Sequence, residues 1–319
     1  MFRGRDLARW ALRLAVSLGL LAYVFSDLRW GALLRAVQGV RLSLVAAGLG
    51  LYLLGQAGSA MRWMLLGRSV GLQRSLGAYL RFYFIGMFFN LFGPSTVGGD
   101  VVRGLYLGDG RRLGLALNSV LFDRLSGLAL LMALGAGALL VFPYRLPWVL
   151  ETATITSGFA LVIGWWTCPR LVRLLPAGNR LRRLVEVDLA PFWRDRRLLL
   201  VVSVSSVVFH LSQVGVQWLL ARAVGVAVPF AYCLVFHPLL SVMIALPVSL
   251  GGFGVREGGY VYFLARIRVE DSLAVTIGLV WWAVTMLAGL LGGTLFLAGG
   301  AALPPLPARL RAGGASTAG

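Results

Sequence analysis

Two stretches of this chain repeat one arrangement of residues whose types could bind an anion. Pro94, Gly98, Gly99 and Arg103 recur, on adding 153 to each number, as Pro247, Gly251, Gly252 and Arg256. Both stretches therefore read P-x-x-x-G-G-x-x-x-R. Proline lacks an amide hydrogen and ends an entering helix. A glycine pair lets the backbone reverse and lets a ligand approach it closely. A helix starting near Gly99 or Gly252 would turn its free N–H groups, and the positive end of its dipole, toward whatever fills the bend. Arg103 and Arg256 follow one turn later and add full charges. A guanidinium fork matches two oxygens of a phosphate.

The acids near these arginines differ between the two copies. Asp100 precedes Arg103 by three residues and shares its helical face. Glu257 adjoins Arg256, and Phe253 stands where the matching Asp would be, so the copies are not equivalent. Asp123 and Arg124 sit inside a later apolar stretch. As neighbours on a helix they point about 100° apart and need separate partners. An arginine at bilayer depth costs at least ~2.5 kcal/mol, which a partner or a ligand must offset. For Asp100/Arg103 and for Asp123/Arg124, a purely structural ion pair is the alternative to a ligand-handling role. His210 and His237 read as polar packing or hairpin ends rather than proton carriers. No catalytic or metal-binding set is found: Cys168 and Cys233 stand alone, no Gly-x-Ser-Gly nucleophile occurs, and "PST" has no histidine beside it.

The elements that must position these residues belong in a membrane. A soluble domain is about 45–50% apolar and about 25% charged. This chain is 59% apolar and 13% charged, with mean hydropathy +0.83. Its net charge of +18 fits arginine-rich cytoplasmic loops facing anionic headgroups and does not call for nucleic acid. The N-terminal apolar run has no small-x-small cleavage site and reads as a retained span. Six spans are expected: Leu7–Phe25, Leu42–Met61, Leu113–Phe142, Pro147–Thr167, Leu198–Leu220 and Ser272–Gly300.

Phe82–Leu107 and Ala223–Val255 are apolar but interrupted by proline and glycine. They read as helices that enter, stop and turn back, which membrane depth tolerates only inside protein or along a cavity. The 153-residue offset also carries the flanking spans onto one another. The fold expected is an all-α polytopic membrane protein of two repeats, about 7–142 and 147–300, each with three spans and one broken re-entrant hairpin. Residues 1–302 form one membrane domain, and 303–319 a disordered cytoplasmic tail. With the N-terminus inside, twenty arginines fall on the cytoplasmic side, Arg62 among them, and seven outside. That distribution obeys the positive-inside rule. Three crossings per half is an odd number, so the second repeat is inverted, as in many transporters.

"NLFGPSTVGGDVVRGLYL" and "LPVSLGGFGVREGGYVYFL" resemble the two signature stretches of the lysylphosphatidylglycerol synthase transmembrane-region family, and the similarity runs over about residues 7–300. The family includes the flippase half of the multiple peptide resistance factor. Asn90, Pro94, Ser95, Gly98, Gly99, Asp100 and Arg103 fit the first motif, and Pro247, Gly251, Gly252, Gly254, Arg256 and Glu257 the second. Asp123 and Arg124 resemble the polar spot on the helix that follows. The resemblance implies a bacterial or archaeal plasma-membrane protein with both termini cytoplasmic. It would move a phospholipid or a polyprenyl-phosphate-linked lipid between leaflets, without a cofactor. The chain ends in "LPPLPARLRAGGASTAG" rather than in a soluble aminoacyl-transferase domain, so synthesis of a lysyl-lipid is not expected. Arg103, Arg256, Asn90, Ser95, Gly98, Gly99, Gly251 and Gly252 are the expected lipid-binding residues. Asp100, Asp123, Arg124 and Glu257 are the expected counter-ion or proton-linked groups. A homodimer is compatible with this reading. The alternatives are a membrane-embedded enzyme and an accessory subunit of envelope lipid or glycan synthesis.

Overall fold

The computed structural model describes residues 4–26, 28–92, 97–108, 112–142, 144, 146–176, 178–246, 248–249 and 251–301, with side chains from residue 14 onward except 92 and 97. Pro94, Ser95, Pro247 and the tail expected at 303–319 lie outside the described residues.

Among the described residues every regular element is helical. The first half contains α1 (Gly4–Ser26), α2 (Trp30–Gln38), α3 (Leu42–Ser69), α4 (Leu76–Phe92), α5 (Val97–Gly108) and α6 (Leu113–Val141). Then come α7 (Trp148–Leu171), the short turns α8 (Arg180–Arg183) and α9 (Ala190–Arg194), and α10 (Arg196–Ala223), α11 (Phe230–Ala245), α12 (Val255–Leu264) and α13 (Asp271–Ala298). Five stretches, corresponding to α3, α6, α7 with the turn after it, α10 and α13, are long and apolar enough to cross a membrane. At 1.5 Å per residue, a helix such as α3 is about 42 Å long. That exceeds the ~30 Å hydrocarbon core, so its ends project or the helix tilts. The expected first span is α1, whose apolar part, Leu14–Ser26, is shorter than the other five.

The helix boundaries follow the 153-residue offset of the two motifs. Adding 153 to the first residues of α3, α4 and α6 gives 195, 229 and 266, and α10, α11 and α13 begin at 196, 230 and 271. The halves also interlock. The equivalent helices α3 and α10 pack together. They run antiparallel: Gly48 meets Leu220, Gly55 meets Ser212, and Arg62 reaches Ser206. Likewise α4 lies on α13, and α11 on α6, two contacts related by exchanging the halves. Val216, Leu220, Val284 and Ala288 are buried between the halves together with Tyr52.

Both broken segments fold as antiparallel helical hairpins. In the first, Phe82 stacks on Tyr106 near the base, and Gly86 and Asn90 meet Gly99 near the tip. In the second, the Tyr232 hydroxyl donates to the Phe263 carbonyl at 2.6 Å, and Ile244 abuts Gly252. The glycine pairs do different work in the two copies. Gly98 and Gly99 lie within the first turn of α5, not in the bend. A Cβ on Gly99 would stand 1.9 Å from the Gly86 carbonyl oxygen, so this glycine lets two backbones touch. Gly251, Gly252 and Gly254 have φ of 59°, 78° and 80°, a left-handed path that side chains disfavour. There the glycines make the reversal, and α12 starts later than expected, at Val255.

One boundary corrects the charge map. α3 continues to Ser69, and Arg62 is buried within it, not in a cytoplasmic loop. The helix passes the expected end at Met61 because Trp63, Leu66 and Gly67 continue its buried side. With Arg62 removed, the expected distribution becomes nineteen arginines against seven.

Candidate functional site

Five charged side chains from α3, α5 and α6 form one chain of contacts. The Arg62 guanidinium donates from Nε to Asp123 Oδ1 at 2.8 Å, and another of its nitrogens donates to Ser206 Oγ. Asp123 Oδ2 faces Arg103 Nη2 at 3.4 Å. Arg103 Nε lies 3.2 Å from Asp100 Oδ1. Asp100 also accepts a two-pronged bond from Arg124, with Nε to Oδ2 at 2.8 Å and Nη2 to Oδ1 at 2.7 Å. Asp123 and Arg124 thus point apart and take separate partners, and Asp100 and Arg103 pair across one helical turn. Three guanidinium groups against two carboxylates leave an excess of one positive charge.

Arg103 is the least solvated guanidinium of this chain, only 2% exposed. Its guanidinium lies 5.0 Å from the Trp63 ring and 5.1 Å from the Tyr83 ring, contacts that partly replace water for a cation. Even so, its Nη1 has no hydrogen-bond acceptor, and its Nε, though close to Asp100, is not aligned for a hydrogen bond. A buried charged donor left unmatched is costly.

That donor borders a cavity of about 280 Å³. Both halves build its walls: Tyr52 and Gln56 from α3, Tyr83 and Asn90 from α4, Gly99, Asp100 and Arg103 from α5, and Arg124 from α6. Phe209, His210 and Gln213 come from α10, His237 and Ser241 from α11, and Trp281 and Thr285 from α13. The Gln213 Nε2 is buried without an acceptor, as Arg103 Nη1 is. Asn90 Oδ1 accepts from the Gly99 N–H at 2.8 Å, so this residue ties the start of α5 to α4. His210 holds the Gly127 carbonyl at 2.9 Å through Nε2.

The second copy of the motif makes a separate, smaller cluster. Arg256 is not among the cavity's lining residues. Its Nη2 donates to the Gly251 carbonyl at 2.8 Å, and Phe253 lies under its guanidinium. Glu257 Oε2 accepts from the Gly254 N–H at 2.8 Å and caps α12, while its Oε1 lies 3.7 Å from Arg256 Nη1. Gly251 and Gly252 shape this bend. The two motif arginines therefore do not share one pocket, because Arg256 is turned into its own hairpin. Cys168 and Cys233 are both free thiols.

Sequence reading missed Arg62, His210 and Gln213 as parts of the site. A signal was present: Ser206, His210, Gln213 and Gln217 recur at spacings of four, three and four in an apolar span. That is one polar stripe of a helix.

The family model described as "Lysylphosphatidylglycerol synthase TM region" matches residues 10–293 of the 319-residue chain. No curated protein matches.

Proposed function

We propose, from the premise that the chain belongs to the lysylphosphatidylglycerol synthase TM region family, that it is a lipid translocase with no catalytic step of its own. An anionic headgroup enters the cavity between the halves and is held by Arg103, with Gln213 and Asn90 beside it. The acyl tails stay in the bilayer, since 280 Å³ lies just below the ~300–1,000 Å³ range of small-molecule sites and suits a headgroup alone. In this reading the termini are cytoplasmic, the α4–α5 hairpin re-enters from the inside and the α11–α12 hairpin from the outside. The antiparallel pairing of the equivalent helices α3 and α10 supports such an inversion. Rocking of one half against the other then presents the headgroup to the opposite leaflet.

The observation that carries this reading is Arg103: a guanidinium 2% exposed, with a donor lacking an acceptor, at a cavity both halves line. The test is translocation of a labelled phosphatidylglycerol in vesicles holding the purified protein. The wild type should move lipid faster than protein-free vesicles, and Arg103→Gln should slow it by about tenfold or more, the scale of ~1.4 kcal/mol in the barrier. An unchanged rate in the Arg103→Gln protein would rule this site out.

A further inference from the structure

We infer that a second lipid site lies outside the cavity: a groove between α3, α4 and α13 seats one acyl chain of an anionic phospholipid, whose phosphate is held by Arg81. The groove has a volume of about 800 Å³. Gly50 of α3 and Gly77 of α4 leave it open, since a Cβ added to either would meet nothing within 4 Å. Leu54 and Leu291 also line it and are exposed, apolar side chains suited to a bilayer. Among the described lining residues Arg81 alone is charged. Its Nη2 lies against Gly299, the residue that closes α13, where the helix carbonyls favour a cation. α4 begins at Leu76, so Arg81 stands about 8 Å along it, a depth from which a long side chain reaches the headgroups.

The groove thus repeats the polarity of a phospholipid, with a phosphate-binding guanidinium at the Gly299 end and apolar surface toward Leu291 and Gly50. Lipid tails are as apolar as leucine, so apolar contact alone would give little preference over bulk lipid. Arg81 supplies the preference, and it favours a net negative headgroup over a zwitterionic one, as basic pockets between membrane helices do. The site is not a product of the repeat. Adding 153 turns Gly50, Gly77 and Arg81 into Ser203, Phe230 and Leu234. A lipid seated here touches α3 and α4 of the first half and α13 of the second, and so braces the two halves against each other.

The inference is tested by native mass spectrometry of the full chain in detergent, with phosphatidylglycerol or with phosphatidylcholine of the same chains. The wild type should retain a phosphatidylglycerol about fivefold more often than a phosphatidylcholine, the scale of about 1 kcal/mol for one arginine near an anionic surface. Arg81→Gln should bind one phosphatidylglycerol fewer than the wild type. Gly50→Leu and Gly77→Leu fill the groove from open positions and should lose the same lipid. Gly137→Leu, equally unobstructed but on α6 and outside the groove, should keep it. Wild-type lipid counts in Arg81→Gln or in both groove-filling variants overturn the inference, as does equal retention of the two lipids by the wild type. Dimers that Gly50→Leu dissociates without loss of lipid would assign the groove to a second copy of the chain and overturn it too. Arg103→Gln should leave the Arg81-dependent lipid in place. If Arg103→Gln loses a lipid and Arg81→Gln does not, the cavity reading stands and the groove falls; the reverse result leaves the groove standing alone.

Discussion

Asp123 is the residue on which the charged cluster turns, because it pairs with both Arg62 and Arg103. Removing one partner from a buried ion pair costs about 3–5 kcal/mol, since the remaining charge stays buried. Asp123→Asn should therefore lower the Tm of the detergent-solubilised protein by several degrees. Thr276→Val, at the uncharged equivalent position (123 + 153 = 276), loses only a hydroxyl bonded to its own helix and should cost much less. Similar Tm losses in the two variants would contradict the cluster. At this scale the sequence was informative about the pairs within a motif. The i,i+3 relation of Asp100 and Arg103, and the divergent directions of Asp123 and Arg124, follow from helix geometry alone. It was blind to Arg62, whose partner lies sixty-one residues away. A charge immediately past an apolar run looks like a loop residue until the helix is seen to continue.

The hairpins are the elements that bring these residues together. Their existence was legible from proline and glycine interrupting apolar segments, and their different construction was not. Both carry the same glycine pair, yet Gly99 serves close packing and Gly252 serves a left-handed turn. Nothing local distinguishes these, because the first depends on Gly86, thirteen residues earlier in chain order (99 − 86 = 13). Gly99→Ala should destabilise the protein by about 1–3 kcal/mol or more, because overpacking forces α4 and α5 apart. Gly114→Ala, where an added Cβ meets nothing within 4 Å, should be neutral or stabilising by up to about 1 kcal/mol. Thermal unfolding of the two proteins side by side checks this. A Gly99→Ala protein as stable as Gly114→Ala would mean that the helices do not touch there.

For the whole molecule, composition identifies the membrane, and the 153-residue offset anticipates where α10 and α11 begin to within one residue and α13 to within five. The way the halves interlock was not readable: α3 on α10, α4 on α13 and α11 on α6 are long-range choices of small residues against large ones. This interlocking puts the excess positive charge of the first half against the neutral polar stripe of α10, and so walls the cavity from both halves. The most direct test is an experimental structure of the protein in lipid nanodiscs containing phosphatidylglycerol. The account predicts a lipid phosphate inside the cavity, with an oxygen about 3 Å from an Arg103 nitrogen and its tails leaving between the halves. A cavity holding only water, with every lipid phosphate at the outer rim of the helices, would contradict it.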